Sequence, residues 1–117
     1  MEDLLSQEFF LQKEIFELFK NQLKKDFETA GLNTEFISML RAESHDSKAL
    51  IEKELEPLFK KNSTVISNLL YRVDISELQI SKYRKMNPKM NFEEIITELI
   101  IKRILQKVIL KKKFSNG

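Results

Sequence analysis

The chain has 117 residues, of which 42% are apolar and 32% charged, with two glycines, two prolines, no cysteine and a formal net charge of +2. So few chain breakers argue against an all-β protein, which needs many tight turns. The lack of cysteine excludes a disulfide framework, a thiolate nucleophile and a Cys-based metal site.

The first predicted element covers about Leu4 to Thr29. Leu11, Ile15, Leu18, Phe19, Leu23 and Phe27 recur at helical three- and four-residue steps, and Phe9, Phe10 and Phe16 widen the stripe. Gly31 is placed to end it as a left-handed residue, with Leu32 as the apolar residue beyond. Asn33 reads as the cap of a short helix, TEFISML, whose inward side is Phe36, Ile37 and Leu40. RAESHDS is a polar connector, and Asp46 or Ser47 can cap the next helix, KALIEKELEPLFKK. Pro57 lies inside that apolar pattern, so a kink or break is expected near Glu54 to Glu56.

Ser63 opens TVISNLLYRV, with Val65, Ile66, Leu69, Leu70 and Val73 inward and an end near Asp74. Ser76 and Gln79 form a capping box for ELQISKYRKM, Asn87-Pro88 is a turn, and Asn91 and Glu94 form a second box for the last helix. That helix carries Glu93, Glu94 and Glu98 near its start and Lys111 to Lys113 at its end, which suits the helix macrodipole. These elements predict an all-α fold: one compact bundle of five to six helices over 1–117, long first and last helices with shorter ones between, and a short flexible end at about 114–117.

The last helix is unusual. Ile96, Ile100, Ile104 and Val108 form one ridge, and Ile101, Leu105 and Ile109 a second. Ile95, Leu99 and Leu110 lie beyond the first ridge, and Glu98, Lys102 and Gln106 mark a narrow polar strip. This apolar cover exceeds the ~100° stripe of an ordinary surface helix. It predicts a central helix, with Ile95, Leu99, Leu110, Lys111, Lys112 and Lys113 as candidate contacts for a protein partner or a second copy. The charges scattered between its ridges do not suit a membrane-surface helix, which needs a clean division of faces.

A search for chemistry finds little. His45 is the only histidine, and with Glu43 and Asp46 on a polar connector it makes a weak metal set. The serines beside it lack an evident strained turn, two glycines cannot build a phosphate loop, and the carboxylate pairs Glu14–Glu17 and Glu52–Glu56 read as solvated helix charges. No enzyme, metal, cofactor or small-molecule substrate is therefore expected.

Charge is unevenly placed. Residues 1–58 hold 7 basic and 13 acidic side chains, a net −6, and residues 59–117 hold 13 and 5, a net +8. The halves can attract each other across the fold, pair between two copies, or leave the basic half facing an anionic partner. Tyr71, Arg72, Tyr83, Arg84 and Lys85 supply the aromatic and basic groups for the alternative function, nucleic-acid or ribonucleoprotein binding. A net charge of +2 is low for that role. The acidic N-terminus has no cleavable apolar run, and no stretch reaches about 18 apolar residues, so neither a signal peptide nor a transmembrane helix is expected and a cytoplasmic location is read. The Lys/Ile/Asn/Phe-rich usage looks like that of an AT-rich bacterial genome, so a bacterial source is expected. The leading expectation is a small non-enzymatic helical protein that acts by binding another protein, itself included.

Overall fold

A computed structural model describes residues 13–41, 46–61 and 63–115. The elements are α1 (Lys13–Thr29), a 3-10 turn (Glu35–Met39), α2 (Asp46–Lys61), α3 (Ser63–Val73), α4 (Glu77–Met86) and α5 (Phe92–Ser115). There is no strand among the described residues, and the all-α bundle is as expected. Residues 4–12 of the predicted first helix lie outside the described residues. At the other end α5 runs through 114 and 115, part of the stretch expected to be flexible.

The helix ends follow from local chemistry. Gly31 has φ +80°, its N–H donates to the Glu28 carbonyl (3.0 Å), and the Leu32 N–H donates to the Phe27 carbonyl (2.9 Å). This pair of bonds is a Schellman motif, and Leu32 packs back on the core. The same motif ends α3 with an aspartate in the left-handed position. Asp74 has φ +73° and donates to Tyr71, and Ile75 donates to Leu70. Aspartate tolerates this region better than most residues. Both capping boxes form: Ser76 Oγ accepts from the Gln79 N–H while Gln79 Oε1 accepts from the Ser76 N–H, and Asn91 and Glu94 do the same for α5. The short element expected to start at an Asn33 cap is 3-10 rather than α, and its cap position is Thr34, which makes no side-chain cap bond; Asn33 lies one residue earlier, where its Oδ1 accepts from the Glu35 N–H (3.1 Å). Ser47 does something else: buried beside Arg41, it donates to the Arg41 carbonyl (3.1 Å).

The break expected before Pro57 does not occur, and α2 continues through it to Lys61. The missing N–H frees the carbonyl of Lys53, four residues back. Lys53 and Pro57 both lie on the exposed side of α2, where water can take that carbonyl. On the other side Ile51 and Leu55 are fully buried, and Leu58 and Phe59 pack on the core.

α5 is the central element. It packs against all four other α-helices, with α1 and α2 as its main neighbours. Ile95, Ile96, Thr97, Ile100, Ile101, Ile104, Leu105 and Val108 are buried. Opposite them α1 contributes Phe16, Phe19, Leu23 and Phe27, α2 contributes Ile51 and Leu55, and α3 contributes Ile66, Leu69 and Val73. α4 is the exception in this arrangement, since among the described elements it packs against α5 alone.

One test isolates the α1 stop. A Cβ added at Gly31 would meet nothing within 4 Å, so only the left-handed backbone opposes a side chain there. Gly31→Ala is expected to lower the unfolding free energy by about 1–2 kcal/mol in urea titration.

Candidate functional site

α4 exposes almost everything it has. Of its ten residues only Tyr83 is buried, at 8% exposure, with Ile80 partly covered. A helix this short is marginal by itself, so what holds it is of interest. Tyr83 reaches the strip of α5 that separates its apolar ridges. Its hydroxyl donates to one oxygen of Glu98 and accepts from Lys102 Nζ at 2.7 Å. Lys102 Nζ also lies 4.5 Å from the centre of the Tyr83 ring. The other Glu98 oxygen is held by Lys48 Nζ of α2, at 2.6 Å. Three helices thus meet at one carboxylate, and α4 is clasped by its single buried side chain. The C-terminal end of α4 is closed by Asn87, whose backbone and side-chain N–H groups both reach the Tyr83 carbonyl.

The electrostatics follow from this geometry. Burial pushes the Glu98 carboxyl up, but the hydrogen bonds from Lys48 and Tyr83 and the charges of Lys48 and Lys102 outweigh it, so the group titrates below its ordinary value. Glu52, one turn along α2 from Lys48, goes the other way: burial raises it first, then the nearby Glu94.

A second buried carboxylate sits at the far end of the bundle. Asp26 of α1 is 1% exposed, accepts from Gln22 Nε2 (3.0 Å) and pairs with Lys107 Nζ of α5 (3.2 Å), with Arg72 Nε of α3 at 3.9 Å. Glu14 pairs with Lys112, and Asp74 with Arg103 at 2.9 Å. The Arg103 Nε is buried without an acceptor among the described residues. Asp26 and Glu14 thus bring acid of the first half onto cations of the second.

The residues singled out from sequence do not gather. Ile95 is 1% exposed and covered by this chain, so it cannot meet a partner at the surface. Leu99 is partly buried against the core, and Leu110 is 47% exposed near the other end of α5. Ile95 and Leu110 are fifteen residues apart, about 22 Å along a helix. Lys111 reaches Gln22 (3.4 Å), Lys112 reaches Glu14, and the Lys113 side chain lies outside the described residues. Among the nucleic-acid candidates, Tyr83 is committed to the clasp and offers no open ring for a base. Arg84 stands 6.0 Å from the Phe92 ring, Lys85 is exposed, and Tyr71 is exposed beside Arg72 on α3, which does not pack on α4. His45, Glu43 and the Asp46 side chain lie outside the described residues, and no group of three metal-ligating side chains occurs among those described.

The surface that sequence reasoning passed over is the outer side of α4. Leu78 is 64% and Met86 69% exposed, with Lys82 midway between them and Lys85 alongside. At 100° per residue, Leu78, Lys82 and Lys85 lie within about 60° of one another and about 100–160° from Tyr83, and Met86 lies between them and Tyr83, about 40° from Lys82. The i, i+4, i+8 spacing of Leu78, Lys82 and Met86 was the available signal. No protein-family model, curated protein or solved structure matches the chain.

Two outcomes are expected. Tyr83→Phe removes one donor from Glu98 and should cost about 1–2 kcal/mol, with faster amide hydrogen exchange over 77–86 and unchanged exchange in α1. Because Glu98 is lowered in the folded protein, its contribution is complete above the ordinary carboxylate value and is lost as pH falls through the lower folded value. Glu98→Gln should therefore flatten the loss of stability below about pH 4.5 in a pH series of thermal melts, relative to the wild-type chain.

Proposed function

We propose that this chain is a small non-enzymatic protein that works by binding another protein, and that α4 is its contact helix. The observation that carries the reading is that α4 is held by one clasped tyrosine while Leu78 and Met86 stand exposed on its outer side. Exposed apolar side chains ringed by charge are the usual anatomy of a contact surface. Both oxygens of Glu98 are taken by donors of the same chain, which supports a structural clasp over a reaction centre at this carboxylate. No described helix is long and apolar enough to cross a membrane, and the absence of cysteine suits a reducing compartment such as the cytoplasm.

Self-association is one form of this reading. Light scattering over a concentration series tests it: a mass rising toward twice the monomer supports it, and a strict monomer at high micromolar concentration leaves a different protein as the partner. For that partner, affinity capture from the native cell is compared between the wild-type chain and Leu78→Ser/Met86→Ser. One discrete protein, recovered with the first and lost with the second, is expected. Recovery of the same material with both would overturn the role of α4. The second reading, nucleic-acid binding, draws on exposed Tyr71 beside Arg72 and on exposed Lys85. It requires an affinity for oligonucleotides that falls steeply with salt.

A further inference from the structure

We propose that the outer side of α4 receives an acidic amphipathic segment of a partner protein, whose apolar side chains meet Leu78 and Met86 and whose carboxylates meet Lys82 and Lys85. This rests on the reading of α4 as the contact helix and adds the chemistry of what it contacts. Most of the basic half's described cations on α3 and α5 are engaged within the fold. Of the basic half's cations, Arg72 and Lys107 face Asp26, Arg103 holds Asp74, Lys112 holds Glu14, and Lys102 holds the Tyr83 hydroxyl. Lys82 and Lys85 make no ion pair among the described residues. Part of the unmet excess therefore falls on α4, which carries three basic residues and one acidic residue, with Lys89 just beyond its end.

The apolar pair decides between anionic partners. Leu78 and Met86 are eight residues apart, about 12 Å along a helix, with Lys82 between them. A phosphate backbone meets the lysines but gives the two apolar side chains nothing to bury against, and the aromatic ring that α4 itself carries, Tyr83, is turned into the clasp, while exposed Tyr71 lies on α3, which does not pack on α4. Two copies of the same helix face would set Lys82 and Lys85 against their own counterparts, which repel. A partner helix or strand that alternates apolar and acidic residues satisfies both parts of the surface.

The experiment selects a displayed library of random helix-forming peptides on the full chain. Enriched peptides are then measured by fluorescence anisotropy at low and high salt against the wild-type chain, Leu78→Ser/Met86→Ser and Lys82→Glu/Lys85→Glu. All four positions are exposed, and circular dichroism checks that each variant keeps its helices. Net-acidic peptides with apolar positions are expected, weakening about tenfold or more in either variant. Neutral or basic peptides that still require Leu78 and Met86 would overturn the acidic partner and leave α4 as a protein contact. If no enriched peptide responds to either variant, α4 as the contact helix falls as well. Phosphatidylserine vesicles or a short single-stranded DNA that bind more tightly than any peptide, and ignore Leu78→Ser/Met86→Ser, would overturn the proposal in favour of a lipid or nucleic-acid surface. A dimer in light scattering that Leu78→Ser/Met86→Ser dissociates would overturn it in favour of a second copy.

Discussion

The structure depends on the need to bury α5. Ten of the twenty-two residues from Glu93 to Phe114 are Ile, Leu or Val, and they occupy more of the helix circumference than one neighbour can cover. The chain meets this by surrounding the helix. The phenylalanines of α1 and the aliphatic side of α2 supply its broadest neighbours, and α3 adds Ile66, Leu69 and Val73 to the same core. Each of these helices has its own apolar stripe to hide, so one central helix completes three amphipathic ones at once.

What is left of α5 is polar, and the way it is used accounts for the rest of the molecule. A half-buried carboxylate in contact with apolar surface is costly unless its oxygens are met. Glu98 is met by Lys48 from one side and Tyr83 from the other, and that second bond is what brings α4 onto the bundle. The docking is narrow because the strip is narrow. A helix attached along such a strip buries one residue well and leaves the opposite side to solvent or to a partner. The same logic places Asp26 under Lys107 and Arg72 at the other end, where a buried acid joins α1 to α3 and α5.

Several features were legible because they are set by residues close in sequence. The two capping boxes and the Gly31 stop each need only a few consecutive side chains and their own backbone, so they read directly. The stripe of α1 and the inward set of α3 read because a helix imposes its period on the sequence. Pro57 misled because its effect depends on which side of α2 it faces, and that is decided by the packing of Ile51 and Leu55. Tyr83 misled for a related reason. Beside Arg84 and Lys85 it resembles an open aromatic, yet its environment is made by Glu98 and Lys102, fifteen and nineteen residues away.

By itself the sequence determined that this chain is helical, where most of its helices stop and that its last helix is too apolar to stand at a surface. Those properties follow from backbone hydrogen bonding and from the amount of apolar area, both of which are local or additive. Only the tertiary structure decided that Ile95 is inside, that the polar strip of α5 is a seam and that two cations without ion pairs among the described residues and two exposed apolar side chains fall together on α4. These are matters of which side chains become neighbours. That is set by the competition among all helices for the surface of α5, and no short window of sequence contains it.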